Sequence, residues 1–216
     1  MDSIPKDHTV QPQTKIELVA LIKAEIKKFG DHCDLNHIDV SLVTDFSWLF
    51  HHLKFNGDIS RWNVSTVKNM HSMFFGSEFN GDISCWDVSS VTCMRSIFAD
   101  SRFDGDISRW NVSDVTNMSF MFYWAEFNGD ISKWDVSNVT DMGSMFYRSK
   151  FNGTIYDWNR SSIITDVEMF LDSKIAEKLG IENPTFDQVK SHFLNLILES
   201  ELQEPPERHG LSRVRL

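Results

Sequence analysis

The residues whose spacing suggests chemistry most directly are four aspartates that recur every 24 residues. Each follows a glycine in an Asn-Gly-Asp or Asp-Gly-Asp triplet: Asp58, Asp82, Asp106 and Asp130. Stacked carboxylates beside glycines are able to ligate calcium, which takes about six to eight oxygen ligands. Because each repeat supplies only one fixed carboxylate, we favour a structural role in which each aspartate accepts hydrogen bonds from turn amides. We therefore expect no metal ion and no other cofactor.

Histidine and cysteine provide the other side chains able to ligate a metal or act as nucleophiles. Five of them cluster near the start of the chain: His32, Cys33, His37, His51 and His52. We expect no metal site there, because His51 and His52 should point to different faces of a helical turn. Cys85 and Cys93 have no activating neighbour. Since no Ser-His-Asp order, phosphate-binding glycine loop or paired acid–base motif stands out, we predict that the protein is not an enzyme.

Tryptophan recurs with the same period. The column consists of Trp62, Trp86, Trp110, Trp134 and Trp158. A strip of exposed rings could bind sugars. Trp62 and Val64 alternate with polar residues, however, which turns both side chains toward the core. We therefore interpret the tryptophan column as core packing.

These columns arise from one 24-residue segment that returns without insertions. The copies are Phe55–Glu78, Phe79–Arg102, Phe103–Glu126 and Phe127–Lys150, with diverged copies at 31–54 and Phe151–Lys174. A fixed period of this length is typical of a solenoid, in which each unit buries its apolar face against its neighbours. Within a unit, alternation predicts a short strand, and helical spacing then predicts a short helix with Ser65 or its equivalent as N-cap. The Asn-Gly pair predicts a tight turn with positive φ at glycine.

The predicted fold is therefore an α/β repeat: a right-handed leucine-rich-repeat-like solenoid with a parallel strand ladder, capped by helices at both ends. Thr14-Lys-Ile-Glu17 is a capping box, so we predict a helix over about 15–29. The predicted segments are a flexible leader 1–13, an N-terminal capping helix 14–30, a six-unit solenoid 31–174, a C-terminal helical cap 175–202 and a disordered tail 203–216.

Internal repetition also separates structural positions from those that are free for another role. Positions that keep the same residue in every unit are needed for packing between units. Positions whose residue changes from unit to unit are free for another role. Aromatic or charged residues stand at several changing positions: Phe75, Phe120, Tyr123, Trp124, Tyr147 and Arg148. Aromatics mixed with arginine have the composition of a protein-binding hot spot. We predict that these residues form the partner-binding surface, against the alternative that they only shield the ends of the predicted helices.

The net charge of −10, from 21 basic and 31 acidic residues, disfavours binding to nucleic-acid phosphates or anionic membranes, although it also serves plain solubility. The start of the chain lacks a secretory pattern, and no run of about 18 apolar residues predicts a membrane span. Three cysteines without a paired spacing are typical of reduced thiols. We therefore expect a cytoplasmic protein with no membrane contact.

The repeat D-I-S-x-W-D/N-V-S-x-V-T-x-M-x-x-M-F-x-x-x-x-F-N-G, at constant offsets across residues 55–158, resembles the repeat of the BspA-type leucine-rich-repeat surface proteins. The resemblance implies a right-handed solenoid with a role in binding. Many members of that family are surface lipoproteins or adhesins, and small members that stand alone occur in phages and prophages.

The expected function is a non-enzymatic, soluble and intracellular protein–protein interaction module. The resemblance suggests a phage- or prophage-type inhibitor or modulator of a host protein, acting in the host cytoplasm. One alternative is a surface adhesin or lectin-like binding protein. Another is an acidic nucleic-acid mimic that blocks a nucleic-acid-binding protein, although residues 55–150 mix 8 basic with 12 acidic residues. The expected partner is a protein, and no direct contact with nucleic acid is expected.

Overall fold

The structure, a computed structural model, describes residues 10–203. The helices in this range are α1 (Lys15–Phe29), α2 (Lys174–Leu179) and α3 (Phe186–Gln203). Between α1 and α2, the 24-residue units follow one another, and their apolar side chains form one continuous core. Beyond Gln203, the predicted disordered tail lies outside the described residues, as do residues 1–9 of the predicted leader.

Residues 10–203 contain no β-sheet, so the predicted right-handed leucine-rich-repeat-like solenoid with a parallel strand ladder is wrong. Successive units are linked instead by isolated parallel bridges at one equivalent position in each unit: Asp45, Asn69, Cys93, Asn117, Asp141 and Thr165. Residues 30–173 also contain no helix, so the short helix predicted in each unit, with its Ser65 N-cap, is wrong.

Main-chain hydrogen bonding explains why the helical spacing does not produce a helix. In the unit 55–78, the amides of Met70, Ser72 and Phe74 donate to carbonyls of the next unit at 2.9–3.0 Å. The amides of Met73 and Phe75, which lie between and after them, donate three residues back within their own unit at 3.2 Å. An amide that bonds to the neighbouring unit cannot complete the i→i−4 ladder of an α-helix. The segment is therefore a series of tight turns.

Asx turns form three further corners in the unit 55–78. In each, an Asp or Asn Oδ1 accepts the backbone N–H two residues later. The acceptors are Asp58, Asn63 and Asn69, at 2.9, 3.2 and 3.0 Å. The equivalents of Asp58 in the next three units accept in the same way, each at 2.9 Å. The predicted turn role of the aspartate column is therefore confirmed, and Ser65 donates its amide to Asn63 instead of capping a helix.

Stacked aromatic rings fill the core. The ring centroid of Phe74 lies 4.4 Å from that of Phe79 and 5.7 Å from that of its equivalent, Phe98. The tryptophan column is buried, at 1–4% exposure, and each indole donates to a carbonyl of the preceding unit, as Trp86 Nε1 does to Ile59 at 3.2 Å. The core-packing interpretation of this column is confirmed, since buried rings leave no strip for sugars.

Glycine in the Asn-Gly pairs is required by close packing. Gly81 does not have positive φ, so the turn conformation predicted for these pairs is wrong. A Cβ at Gly81 would lie 2.8 Å from Phe79 Cε2, closer than real Cβ contacts allow. The glycine lets the ring two residues earlier lie against the main chain, which no larger residue would permit.

Helices flank the stacked units on both sides in sequence. The helix predicted over about 15–29 is confirmed as α1, and Thr14 Oγ1 accepts the amide of Glu17 at 3.2 Å. Glu17 Oε2 accepts from the amide of Gln13 at 2.7 Å, one residue before the amide that a capping box uses. Val10, within the leader predicted as flexible, forms a parallel bridge with Ile38. Helices α1, α2 and α3 all bury apolar residues in the common core.

Two positions in each unit have left-handed backbone conformation, which non-glycine residues adopt at a cost of roughly 1–2 kcal/mol. Asp100 is exposed and lies at φ 52°. We expect Asp100→Gly to raise the free energy of unfolding by up to about 1 kcal/mol, because glycine adopts this conformation without steric cost. Asp114→Gly is the matched control, since Asp114 is exposed without positive φ and should lose about 0.5–1 kcal/mol. Thermal unfolding measures both, and a lower melting temperature for Asp100→Gly would contradict the prediction.

Candidate functional site

Five of the six predicted binding residues lie together in what we term the Trp124 cluster: Phe120, Tyr123, Trp124, Tyr147 and Arg148. The ring of Tyr123 is at the centre and stacks on Tyr147, with 5.0 Å between centroids and 15° between planes. It also contacts Phe120 at 5.7 Å and Trp124 at 6.4 Å. Trp124 is 48% exposed. The cluster is therefore a contiguous aromatic surface that is partly open to solvent.

Two arginines lie over the faces of these rings. The Arg148 guanidinium is 5.0 Å from the centroid of Trp124, and that of Arg95 is 4.7 Å from the centroid of Phe120. Arg148 Nε donates to Asp172 at 2.9 Å, and this hydrogen bond raises the pKa of Arg148. Sequence reasoning missed Arg95, although the repeat register places it one residue before the equivalent of Phe120 in the preceding unit. The surface thus combines apolar area with two positioned positive charges.

The structure does not bring Phe75 together with the other five residues. Phe75 belongs to a separate group, which we term the Trp48 cluster: Trp48, His51, His52, His71 and Phe75. Trp48 is 49% exposed, and its ring contacts His51 at 4.6 Å and His71 at 4.9 Å. Phe75 contacts His51 and His52, both at 5.2 Å. This cluster lies at the equivalent positions of the first two units.

A single small residue accounts for the separation. Ala99 occupies the position that Phe75 and Tyr123 occupy in the flanking units, and it is fully buried. Without a ring at that position, the aromatic surface is interrupted for one unit. Sequence reasoning also missed Trp48, although the alignment of residues 31–54 with the repeat places Trp48 in the column of Phe120.

The histidines of the Trp48 cluster lie close together. The rings of His51 and His52 contact each other at 4.1 Å, so the prediction that they point to different faces is wrong, because these residues lie in a turn and not in a helix. Burial, with a smaller effect of His52, lowers the pKa of His51. Among residues 10–203, no group of three or more His, Cys, Asp or Glu side chains converges as metal ligands.

The Asx turns make stability depend on pH. The hydrogen bond from the amide of Ser84 lowers the pKa of Asp82, and Asp106 and Asp130 have lowered pKa values for the same reason. Folding therefore favours the carboxylate, so this stabilisation is complete above the unfolded pKa near 4 and is lost as the pH falls through the lower folded pKa. We expect the melting temperature to fall steeply below about pH 4.

A variant in which these three aspartates are all replaced by asparagine is the control for this pH dependence. Asparagine keeps the Oδ1 acceptor but does not titrate, so the melting temperature of the variant should depend less steeply on pH below about pH 4. Calorimetric scans at a series of pH values measure both slopes. If the melting temperatures of the unsubstituted protein and the variant depend equally on pH, groups other than these three aspartates cause the acid sensitivity and the prediction is wrong.

Together, the fold and this surface define a class of protein: a repeat protein of stacked 24-residue units that carries aromatic clusters on its turns. Two overlapping segments, residues 21–125 and 77–183, match the family described as "Mycoplasma protein of unknown function, DUF285". The matches cover more than half of the chain, which therefore belongs to this family. No curated protein and no solved structure matches the chain.

None of the helices in residues 10–203 has the length and apolar character that a membrane span requires.

Proposed function

We propose that this chain is a non-enzymatic protein–protein interaction module and that the Trp124 cluster is its partner-binding surface. The observation that supports this proposal most directly is the half-exposed ring of Trp124, which lies beside stacked tyrosines and beneath Arg148. Tryptophan, tyrosine and arginine are the residues most enriched among binding hot spots.

The packing beneath the cluster supports the same proposal. Met121 and Phe122 are fully buried and fill the core columns of this unit, so the outer rings are not needed to close the core. Tyr123 already stacks on Tyr147 in the free protein, which reduces the conformational entropy lost when a partner binds. The BspA-type resemblance also implies a binding role, and we include membership of that family in the proposal.

Site-specific photo-crosslinking tests the proposal whatever the identity of the partner. p-Benzoylphenylalanine at position 120 keeps an aromatic ring within the cluster, and the same group at the exposed position Asp114 is the control. In the source cell, we expect a discrete covalent adduct with another protein from position 120 and not from position 114. The same adducts from both positions, or none from position 120, would refute the assignment of the surface.

A further inference from the structure

The last repeat unit has an edge with open main-chain groups. In the preceding unit, the equivalent amides donate to the next unit, as Ser144 does to the carbonyl of Val167 at 2.9 Å. Within residues 10–203, the amides of Asp166 and Glu168 have no acceptor. The row of parallel bridges between units likewise ends at Thr165. Residues 164–168 therefore present the hydrogen-bonding pattern to which a further unit would bond.

This open edge borders a cavity of about 400 Å³ between the last unit and the start of α3. Val167 lines the cavity and is 67% exposed, and nearby in the chain Ile164 is 85% exposed. Further along the edge, the amide of Asp172 donates to the carbonyl of Glu182 at 3.0 Å. The loop before α3 therefore supplies the acceptor that a further unit would supply at this position. The edge is thus short, flanked by apolar side chains and closed at one end.

The charges around the cavity are mainly acidic. Three carboxylates, Asp166, Glu168 and Asp187, face one cation, Arg160. Arg160 pairs with Asp166 at 3.1 Å and with Asp187 at 3.4 Å, whereas Glu168 forms no ion pair with any residue in 10–203. The carboxylate of Glu168 is therefore uncompensated and would attract a positive charge.

We propose that this edge binds an extended basic peptide segment of a partner protein, which adds alongside Thr165 as a further unit would. The carbonyls of the peptide accept from the amides of Asp166 and Glu168, as in other edge additions. Its apolar side chains cover Val167, and a lysine or arginine faces Glu168. The unpaired carboxylate of Glu168 favours a basic peptide over an acidic one. This site is separate from the Trp124 cluster and does not depend on its assignment.

Isothermal titration of the full chain tests the charge recognition, with the peptide acetyl-Val-Arg-Val-Arg-Val-amide as probe. We expect this peptide to bind and its Val-Glu-Val-Glu-Val analogue not to bind. Glu168→Lys should weaken binding about threefold to tenfold, because it replaces an attraction with a repulsion. Glu78→Lys, the same charge change at an exposed position in an earlier unit, should leave binding unchanged.

Two forms of the probe, each N-methylated at alternate residues, test the main-chain contact. Alternate N-methyl groups block only one edge of an extended peptide, so we expect one form to bind and the other to fail. If both forms bind like the parent, or if Glu78→Lys weakens binding as much as Glu168→Lys, the contact is non-specific and the proposal is refuted. If Glu168→Lys abolishes a concentration-dependent dimer, the edge binds a second copy and the proposal is equally wrong.

Discussion

Phe122→Ala should destabilise the fold by about 3–5 kcal/mol, the range typical of a buried phenylalanine truncated to alanine. Phe122 is fully buried, and its ring centroid lies 4.3 Å from that of Phe127 and 5.7 Å from that of Phe146. Removing the ring leaves a cavity between two units that have no sheet to hold them together. Since about 1 kcal/mol shifts the melting temperature of a chain of this size by about 2–4 °C, we expect a fall on the order of 10 °C.

The control for this prediction is Trp124→Ala, two residues away. Trp124 is 48% exposed, and alanine keeps the amide that donates to the carbonyl of Tyr147 at 2.8 Å. Its loss of stability should be below about 1 kcal/mol, mainly from the contact with Arg148. Chemical denaturation at constant pH measures both free energies of unfolding. If the two variants lose equal stability, the buried ring of Phe122 contributes no more to the free energy of unfolding than the half-exposed ring of Trp124, and the prediction is wrong.

Trp124→Ala should, by contrast, weaken partner binding at least about tenfold. Hot-spot truncations cost about 2 kcal/mol or more, and Trp124 is the most exposed ring of its cluster and lies beneath Arg148. The measurement is the affinity for the protein that crosslinking from position 120 identifies, determined by titration with folded variants. Unchanged affinity in a folded Trp124→Ala variant would refute the proposed surface.

Trp48→Ala is the matched control for binding. Trp48 is 49% exposed and, like Trp124, has left-handed backbone conformation, at φ 65° against 55°. The two substitutions therefore remove similar exposed areas from similar backbone positions, but from different clusters. If the partner contacts the Trp124 cluster alone, Trp48→Ala should change the affinity by less than about threefold, within the small effects typical of surface substitutions. An equal loss in both variants would contradict the restriction to the Trp124 cluster.

The repeat register and the identity of the buried columns are readable from the sequence. Residues such as Trp62 and Trp86 recur at a constant period, and stacking places them in one column. Trp62 and Val64 alternate with polar residues, and this pattern correctly predicted that both face the core. The role of Asp58 and its equivalents also followed from local chemistry, because an Asx turn needs only the aspartate and an amide two residues later.

The conformation of the main chain between these columns depended on contacts distant in the sequence. The amide of Ser72 bonds to the carbonyl of Arg95, 23 residues later, so local periodicity could not distinguish a helix from the observed turns. The grouping of the surface rings was likewise not evident from the spacing. Phe75 and Tyr123 occupy the same repeat position, but the buried Ala99 between them divides the rings into two clusters. Spacing along the chain specifies which residues are equivalent, whereas three-dimensional packing determines which side chains meet and which main-chain groups remain open.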